Sequence, residues 1–182
     1  IEYHIKTKYF KLHFIDTQKR GNISNNIYNY SLLRSKIKKI LVNIESFFKK
    51  SSFEDICWPW DDLEEIDLSL TLCGDFKMRR LNLNYRNKNK VTDVLSFPVY
   101  DTLRRNGTDF STVGPYLSLG DIFICKSVAM RQANINNLKI IDEVAQLFIH
   151  GILHLCGYDH EISIKEEKIM FDLENKIWRM LR

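Results

Sequence analysis

Apolar side chains recur at helical spacing in four segments of the chain, and each of these segments predicts a helix. The two longest cover residues 31–50 and 140–155, and the second is apolar on nearly every side, so we expect it to be buried. A final helix begins after Ser163, which forms a predicted capping box with Glu166. A shorter helix starts at Asp75, its expected cap. The apolar positions of this short helix are Met78, Leu81 and Tyr85, which we expect to face inward.

Strand-like runs lie between the helices. The predicted strands cover residues 1–15, 66–73, 91–99 and 119–126. Segment 101–118 is polar and rich in turn residues, which predicts a mobile loop or flap. This order of elements predicts an α+β fold, in which helices pack on a small mixed β-sheet.

The composition is that of an ordinary globular protein, with 45% hydrophobic and 27% charged residues in 182. We therefore expect one domain over residues 1–182. No run approaches the ~20 apolar residues that cross a membrane, and no signal segment is apparent. Four scattered cysteines favour free thiols in a reducing compartment, so we expect a cytoplasmic protein without a membrane span. They are Cys57, Cys73, Cys125 and Cys156.

The charge distribution is uneven, although the net charge is only +4. Lysine and arginine are concentrated in the first fifty residues and in segment 77–90. A basic surface of this kind suits a polyanion such as nucleic acid, although most charge runs are simply solvated faces.

Three of the five histidines lie within eleven residues, at positions 150, 154 and 160. On a helix, His150 and His154 project from the same face, one turn apart. Gly157 can adopt a positive φ and turn the chain, so that His160 closes on the pair. Three imidazoles with one open position are typical of a catalytic zinc ion that keeps a water. Nickel, copper and iron remain alternatives, since they also accept nitrogen ligands.

The spacing of these residues is also that of the metzincin peptidase pattern H-E-x-x-H-x-x-G-x-x-H. In those enzymes the second position is the general-base Glu, and here it is Gly151. Glycine cannot take a proton from a zinc-bound water. A zinc peptidase or other zinc hydrolase is therefore the alternative and not the first hypothesis.

Three motifs together resemble the YbeY family of bacterial endoribonucleases, the rRNA maturation factors. They occur in the family's order and span roughly residues 66–175, whereas residues 1–60 match only in general character. The motifs are Leu81-Asn82-x-x-Tyr85-Arg86 followed by Thr92-Asp93-Val94-Leu95-Ser96-Phe97-Pro98, then Leu119-Gly120-Asp121-Ile122, and His150-Gly151-x-x-His154-Leu155-x-Gly157-Tyr158-Asp159-His160.

The resemblance implies a single-strand-specific endoribonuclease that acts on ribosomal RNA, notably at the 3′ end of the small-subunit RNA, and in ribosome quality control. It implies one zinc ion held by His150, His154 and His160, and a functional role for Arg86. Its implied partners are ribosomal RNA and proteins of the small ribosomal subunit. A ribosome-associated module with a structural zinc is a further alternative, and a surface ion pair is the alternative role for Arg86.

Four other residues near the motifs have two interpretations each. Asp93 and Asp121 could orient a ligand histidine, or could form turns at strand starts. Glu161 could move a proton, or could supply charge at a helix entry. Cys156 lies between ligands in sequence, but we expect it to be a core residue.

Overall fold

The computed structural model describes residues 1–17, 29–50, 55–56, 58–104 and 114–181. Within these ranges the chain forms five strands and five helices. In order they are β1 (Glu2–Lys6), β2 (Phe10–Asp16), α1 (Tyr30–Phe48), β3 (Glu65–Cys73), α2 (Asp75–Arg86), β4 (Val94–Pro98), β5 (Tyr116–Cys125), α3 (Lys126–Ile135), α4 (Ile140–Leu155) and α5 (Ile164–Arg179).

The strands form one mixed sheet in the order β1-β2-β3-β5-β4. The pairs β1–β2 and β4–β5 are antiparallel, whereas β2–β3 and β3–β5 are parallel. Parallel neighbours require a crossover connection, and α1 lies in the connection between β2 and β3. The expectation of an α+β fold with a small mixed sheet is confirmed.

Helix α4 lies on one face of this sheet, within the main hydrophobic core. Eleven of its sixteen residues are buried, since α1, α3 and α5 also pack against it. Strand alternation places Ile122 and Ile124 of β5 in this core and directs Phe123 and Cys125 to the other face. There, α2 covers a smaller cluster around Met78. The expected burial of the helix over residues 140–155 is confirmed.

Several local predictions were wrong. Residues 1–15 form two strands of a hairpin, because residues 7–9 turn the chain between them. Gly74, not Asp75, is the N-cap of α2, and Asp75 instead accepts a hydrogen bond from Ser127. Tyr85 does not face inward, since it is 68% exposed. Helix α3 was not predicted, and it continues directly from β5 with only two buried side chains.

The predicted loop 101–118 is only partly described. Residues 105–113 lie outside the described residues, and β5 already begins at Tyr116. Before the gap, Leu103 is completely buried, and Arg104 forms ion pairs with Asp55 and Glu166. The described start of this segment is therefore packed and is not a free flap.

Other predictions agree with the structure. Ser163 caps α5 by accepting a hydrogen bond from the Glu166 amide at 3.2 Å. Three cysteines are free and buried, whereas Cys57 lies outside the described residues. Across the described ranges, no helix has both the length and the apolar character needed to cross a bilayer.

Candidate metal centre

The three histidines converge at the carboxyl-terminal end of α4. His150 and His154 lie one turn apart on the helix, which ends at Leu155. Gly157 then adopts a φ of +91°, a conformation that favours glycine, and returns the chain towards the helix. Its Cα hydrogen faces Thr102, since a Cβ there would lie 2.6 Å from the Thr102 Cα. This close turn brings His160 back to the pair.

The imidazoles lie close enough to bind one metal ion. One nitrogen from each ring lies within 4.8 Å of the others. The Nε2 atoms of His150 and His154 are 3.0 Å apart, and the His160 ring centroid is 5.2 Å from each of the other two. Two nitrogens bound to a tetrahedral zinc at ~2.0–2.1 Å would lie roughly 3.3 Å apart. The donor set therefore fits such an ion.

A carboxylate on α5 orients one of these rings. Glu174 lies 2.7 Å from Nδ1 of His150, so that Nδ1 carries the proton and Nε2 keeps its lone pair for a ligand. Sequence reasoning missed Glu174. The available signal was its position beside the buried residues Met170, Leu173 and Ile177, on the inner side of an amphipathic helix.

The surroundings of His154 favour its neutral imidazole. Burial lowers the pKa of His154 to about 4, and the neighbouring His150 and His160 act in the same direction. His154 therefore remains unprotonated at neutral pH, as a metal ligand must be.

The cluster opens into a cleft of about 690 Å³ between α4, β4 and the turn after α4. Arg86, at the end of α2, lies in the wall of this cleft. Its Nη2 donates to both carboxylate oxygens of Glu161, at 2.9 and 3.1 Å. The hydrogen-bonded guanidinium holds the pKa of Glu161 below its ordinary value. The structure thus brings Arg86 to the histidine site. There its guanidinium is already hydrogen-bonded to the carboxylate of Glu161.

Comparison with known proteins identifies the family. The family model of Endoribonuclease YbeY matches residues 22–182. The chain belongs to this family. It is 38% identical over 149 residues to the Endoribonuclease YbeY of Sulfurihydrogenibium, covering 79% of this chain and 92% of that one. The Endoribonuclease YbeY of Mycoplasma capricolum is 42% identical over 116 residues, covering 64% and 67%.

A solved structure supports the same fold. The solution structure of a Thermotoga maritima protein superposes with a TM-score of 0.55 over 93% of this chain and 88% of that chain, at 22% identity. In the present chain His150 and His154 lie on a helix that packs against this mixed sheet.

The packing around position 151 favours a glycine, which also leaves the site without the metzincin general base. A Cβ at this position would lie 2.9 Å from Cγ2 of Ile122 and 3.2 Å from Oγ of Ser96. The Ser96 hydroxyl also donates to the Gly151 carbonyl at 3.2 Å. Helix α4 thus lies close to the sheet at the position where metzincins carry their general base, and a larger side chain there would require Ile122 to shift.

The remaining candidates take other partners. Asp93 accepts hydrogen bonds from Gln132 and the Val94 amide, at 2.9 and 2.8 Å. Asp121 accepts one from Ser69 on the neighbouring strand. Among the described residues neither aspartate bonds a histidine. Cys156 is fully buried in the core, and burial raises the pKa of its thiol.

Proposed function

We propose that this chain is a zinc-dependent endoribonuclease specific for single-stranded RNA. We further propose that it matures ribosomal RNA, notably at the 3′ end of the small-subunit RNA, and acts in ribosome quality control in the cytoplasm. Residues 1–182 would form one catalytic domain that binds small-subunit ribosomal proteins. One observation carries the proposal: a three-histidine cluster and an arginine share one cleft in a member of the Endoribonuclease YbeY family.

His150, His154 and His160 would hold the zinc ion, with a fourth position open to water. When bound, zinc supplies a Lewis acid and makes hydroxide available near neutral pH. The protein's own contribution is to keep one imidazole neutral and to orient another. Burial keeps His154 unprotonated, and Glu174 fixes the ring of His150.

Arg86 would bind the phosphate of the scissile bond. A guanidinium matches phosphate oxygens with paired donors, as it now matches the carboxylate of Glu161. Both side chains are substantially exposed, at 39% and 58%, so an incoming phosphate can displace Glu161 at little cost. Glu161 then becomes a free carboxylate beside His160.

Two variants and one control test these roles on a labelled single-stranded RNA. We expect His154→Ala to lose both bound metal and cleavage. We expect Arg86→Glu to retain metal while cleavage falls by roughly 100-fold or more, as when one transition-state donor is removed. Arg131→Glu, an exposed arginine on α3, serves as the charge control. Undiminished cleavage by Arg86→Glu would refute the phosphate role.

The rival functions give different results in the same preparation. A zinc peptidase would cut an unstructured polypeptide and leave RNA intact, an outcome opposed by Gly151, which cannot act as the general base of that mechanism. A module with a structural zinc would cut neither. X-ray absorption then separates three nitrogens plus a water from a closed site with a fourth protein ligand.

A further inference from the structure

The face of the sheet opposite α4 carries a series of contacting aromatic rings beside α2. Tyr85 packs edge-on against Phe97, with ring centroids 4.8 Å apart, and Phe97 packs in the same way against Phe123 at 5.7 Å. Tyr85, at the outer end of this series, is 68% exposed. Because so much of its surface is exposed, the Tyr85 ring is available to a ligand.

Basic side chains are concentrated on α2 and in the turn that follows it. Segment 77–90 contains six of them and no acid. In the described part of the chain, Arg86 alone of the six takes part in an ion pair. The ammonium of Lys77 lies 4.9 Å from the centre of the Phe123 ring. The six residues are Lys77, Arg79, Arg80, Arg86, Lys88 and Lys90.

This basic-aromatic surface, formed by α2 with Tyr85, Phe97 and Phe123, is continuous with the cleft. Tyr85 directly precedes Arg86, which lines the cleft. On β4, Ser96 and Pro98 also line the cleft, and strand alternation sends the intervening Phe97 to the aromatic series. Because β4 is an edge strand, a ligand can pass around it from one face to the other.

We propose that the basic-aromatic surface binds the single-stranded RNA that extends beyond the cleft, with a base stacked on Tyr85. This inference rests on the proposed function. Cations without ion-pair partners among the described residues lie on the same helix as the exposed ring. They match the two features of a single strand that such proteins bind, the phosphate backbone and the faces of the bases. The absence of acids across segment 77–90 favours a polyanion over a protein partner of mixed charge.

The first experiment compares two RNA lengths on the metal-free chain, so that binding is measured without cleavage. The shorter oligonucleotide fills only the cleft, and the longer one also reaches Tyr85 and the basic side chains earlier on α2. We expect Tyr85→Ala to weaken binding of the longer RNA by roughly 5- to 100-fold, the usual effect of losing one base–aromatic stack. Binding of the shorter RNA stays unchanged. Tyr85→Phe retains the ring and should bind within about twofold of the unmodified chain.

One control variant and one further variant of Tyr85 separate base stacking from a general surface effect. Tyr116→Ala removes a tyrosine of similar exposure, 63%, at the start of β5, and should bind both RNAs normally. Tyr85→Leu retains an apolar contact with Phe97 but has no aromatic face, and should bind the longer RNA as weakly as Tyr85→Ala. Normal binding by Tyr85→Leu would overturn the stacking inference.

The basic residues are tested separately by salt dependence. Replacing Lys77, Arg79 and Arg80 by glutamine should reduce the slope of log affinity against log salt by about 2, since each phosphate contact on a single strand contributes roughly 0.7. An unchanged slope would overturn the proposed path. If the unmodified chain neither binds nor cuts either RNA, the proposed function itself fails. If cleavage is normal and every variant binds RNA like the unmodified chain, the role of the basic-aromatic surface is rejected while the proposed function stands.

Discussion

At the scale of single residues, the Glu174 carboxylate controls how His150 presents its two nitrogens. The carboxylate accepts from Nδ1 at 2.7 Å, which leaves Nε2 directed towards His154. Without this contact, the ring could rotate or take the other tautomer. We therefore expect a residue outside the histidine motif to contribute to the affinity of the three histidines for metal.

We expect Glu174→Ala to weaken zinc binding by roughly 10- to 100-fold, the usual effect of losing a carboxylate that supports a ligand histidine. Glu174→Gln retains a carbonyl acceptor, so its zinc affinity should lie between those of Glu174→Ala and the unmodified chain. Competition with a chromophoric chelator measures the affinity. Asp172→Ala, on the exposed side of α5, is the matched control. Equal affinities for Glu174→Ala and the control would contradict the supporting role.

The histidine pair could be predicted from sequence, whereas the contact of Glu174 with His150 could not, for a physical reason. His150 and His154 share one helix, so the period of the helix alone places them together. Glu174 lies 24 residues further along, and its contact depends on how α5 packs against α4. Asp93 and Asp121, inside recognisable motifs, instead bond Gln132 and Ser69.

A second residue-scale prediction concerns Glu143, a buried acid that lines the far end of the cleft. Its Oε2 has no hydrogen-bond partner among the described residues. Burial raises the pKa of Glu143, and the charge of Asp93 acts in the same direction. A hydrogen bond with Asn136 lowers this pKa, but its effect is smaller than that of burial. Folding therefore takes up a proton at this site, and stability is lost as the pH rises through the folded-state pKa.

Glu143→Gln should consequently be more stable than the unmodified chain at neutral and higher pH, with the difference vanishing in acid. Urea unfolding between about pH 4 and pH 8 measures this difference directly. Glu167→Gln, which removes an exposed carboxylate on α5, controls for the change in net charge. A difference that stays constant with pH would refute the assignment of the titration to Glu143.

At the scale of elements, α4 could be predicted because strong boundaries enclose a long apolar run. The turn at residues 136–137 precedes it and Gly157 follows it, with positive φ at Asn137 and Gly157. Helix α3 lacked such signals, since it starts immediately after β5 and buries only Ala129 and Ala133. The hairpin at the start of the chain was missed because its two strands share one loose alternation.

The turn at Gly157 gives the element-scale prediction. An alanine there would take a positive φ, at a cost of roughly 1–2 kcal/mol, and its Cβ would overlap Thr102, adding about 1–3 kcal/mol. We expect Gly157→Ala to lower the free energy of unfolding by at least about 2 kcal/mol and to displace His160, weakening metal binding. In Gly114→Ala the new Cβ meets nothing within 4 Å, so its urea midpoint should stay unchanged. Similar stabilities of the two variants would contradict the close turn.

At the scale of the whole molecule, the site is assembled from distant parts of the chain at one end of α4. Arg86, Ser96, His150 and Glu174 reach one cleft from four different elements. Fold class was predictable from the segment pattern, but strand order was not, because a pattern of apolar positions does not specify which strands pair. The position of the aromatic series Tyr85, Phe97 and Phe123 relative to the cleft depends on that order.

Metal removal tests this separation of core and site. The main core extends from Ile5 to Ile177 and lies between the sheet and its helices, whereas the histidines face the cleft at one end of α4. We therefore expect a chelator to abolish RNA cleavage while the far-ultraviolet circular dichroism is preserved. Loss of a ligand present at ~100 times its Kd costs about 2.7 kcal/mol, which for a chain of this length lowers Tm by roughly 5–10 °C. His154→Ala, already without metal, should show no further shift with chelator. Collapse of the fold on chelation, as in a zinc finger, would instead favour a structural metal.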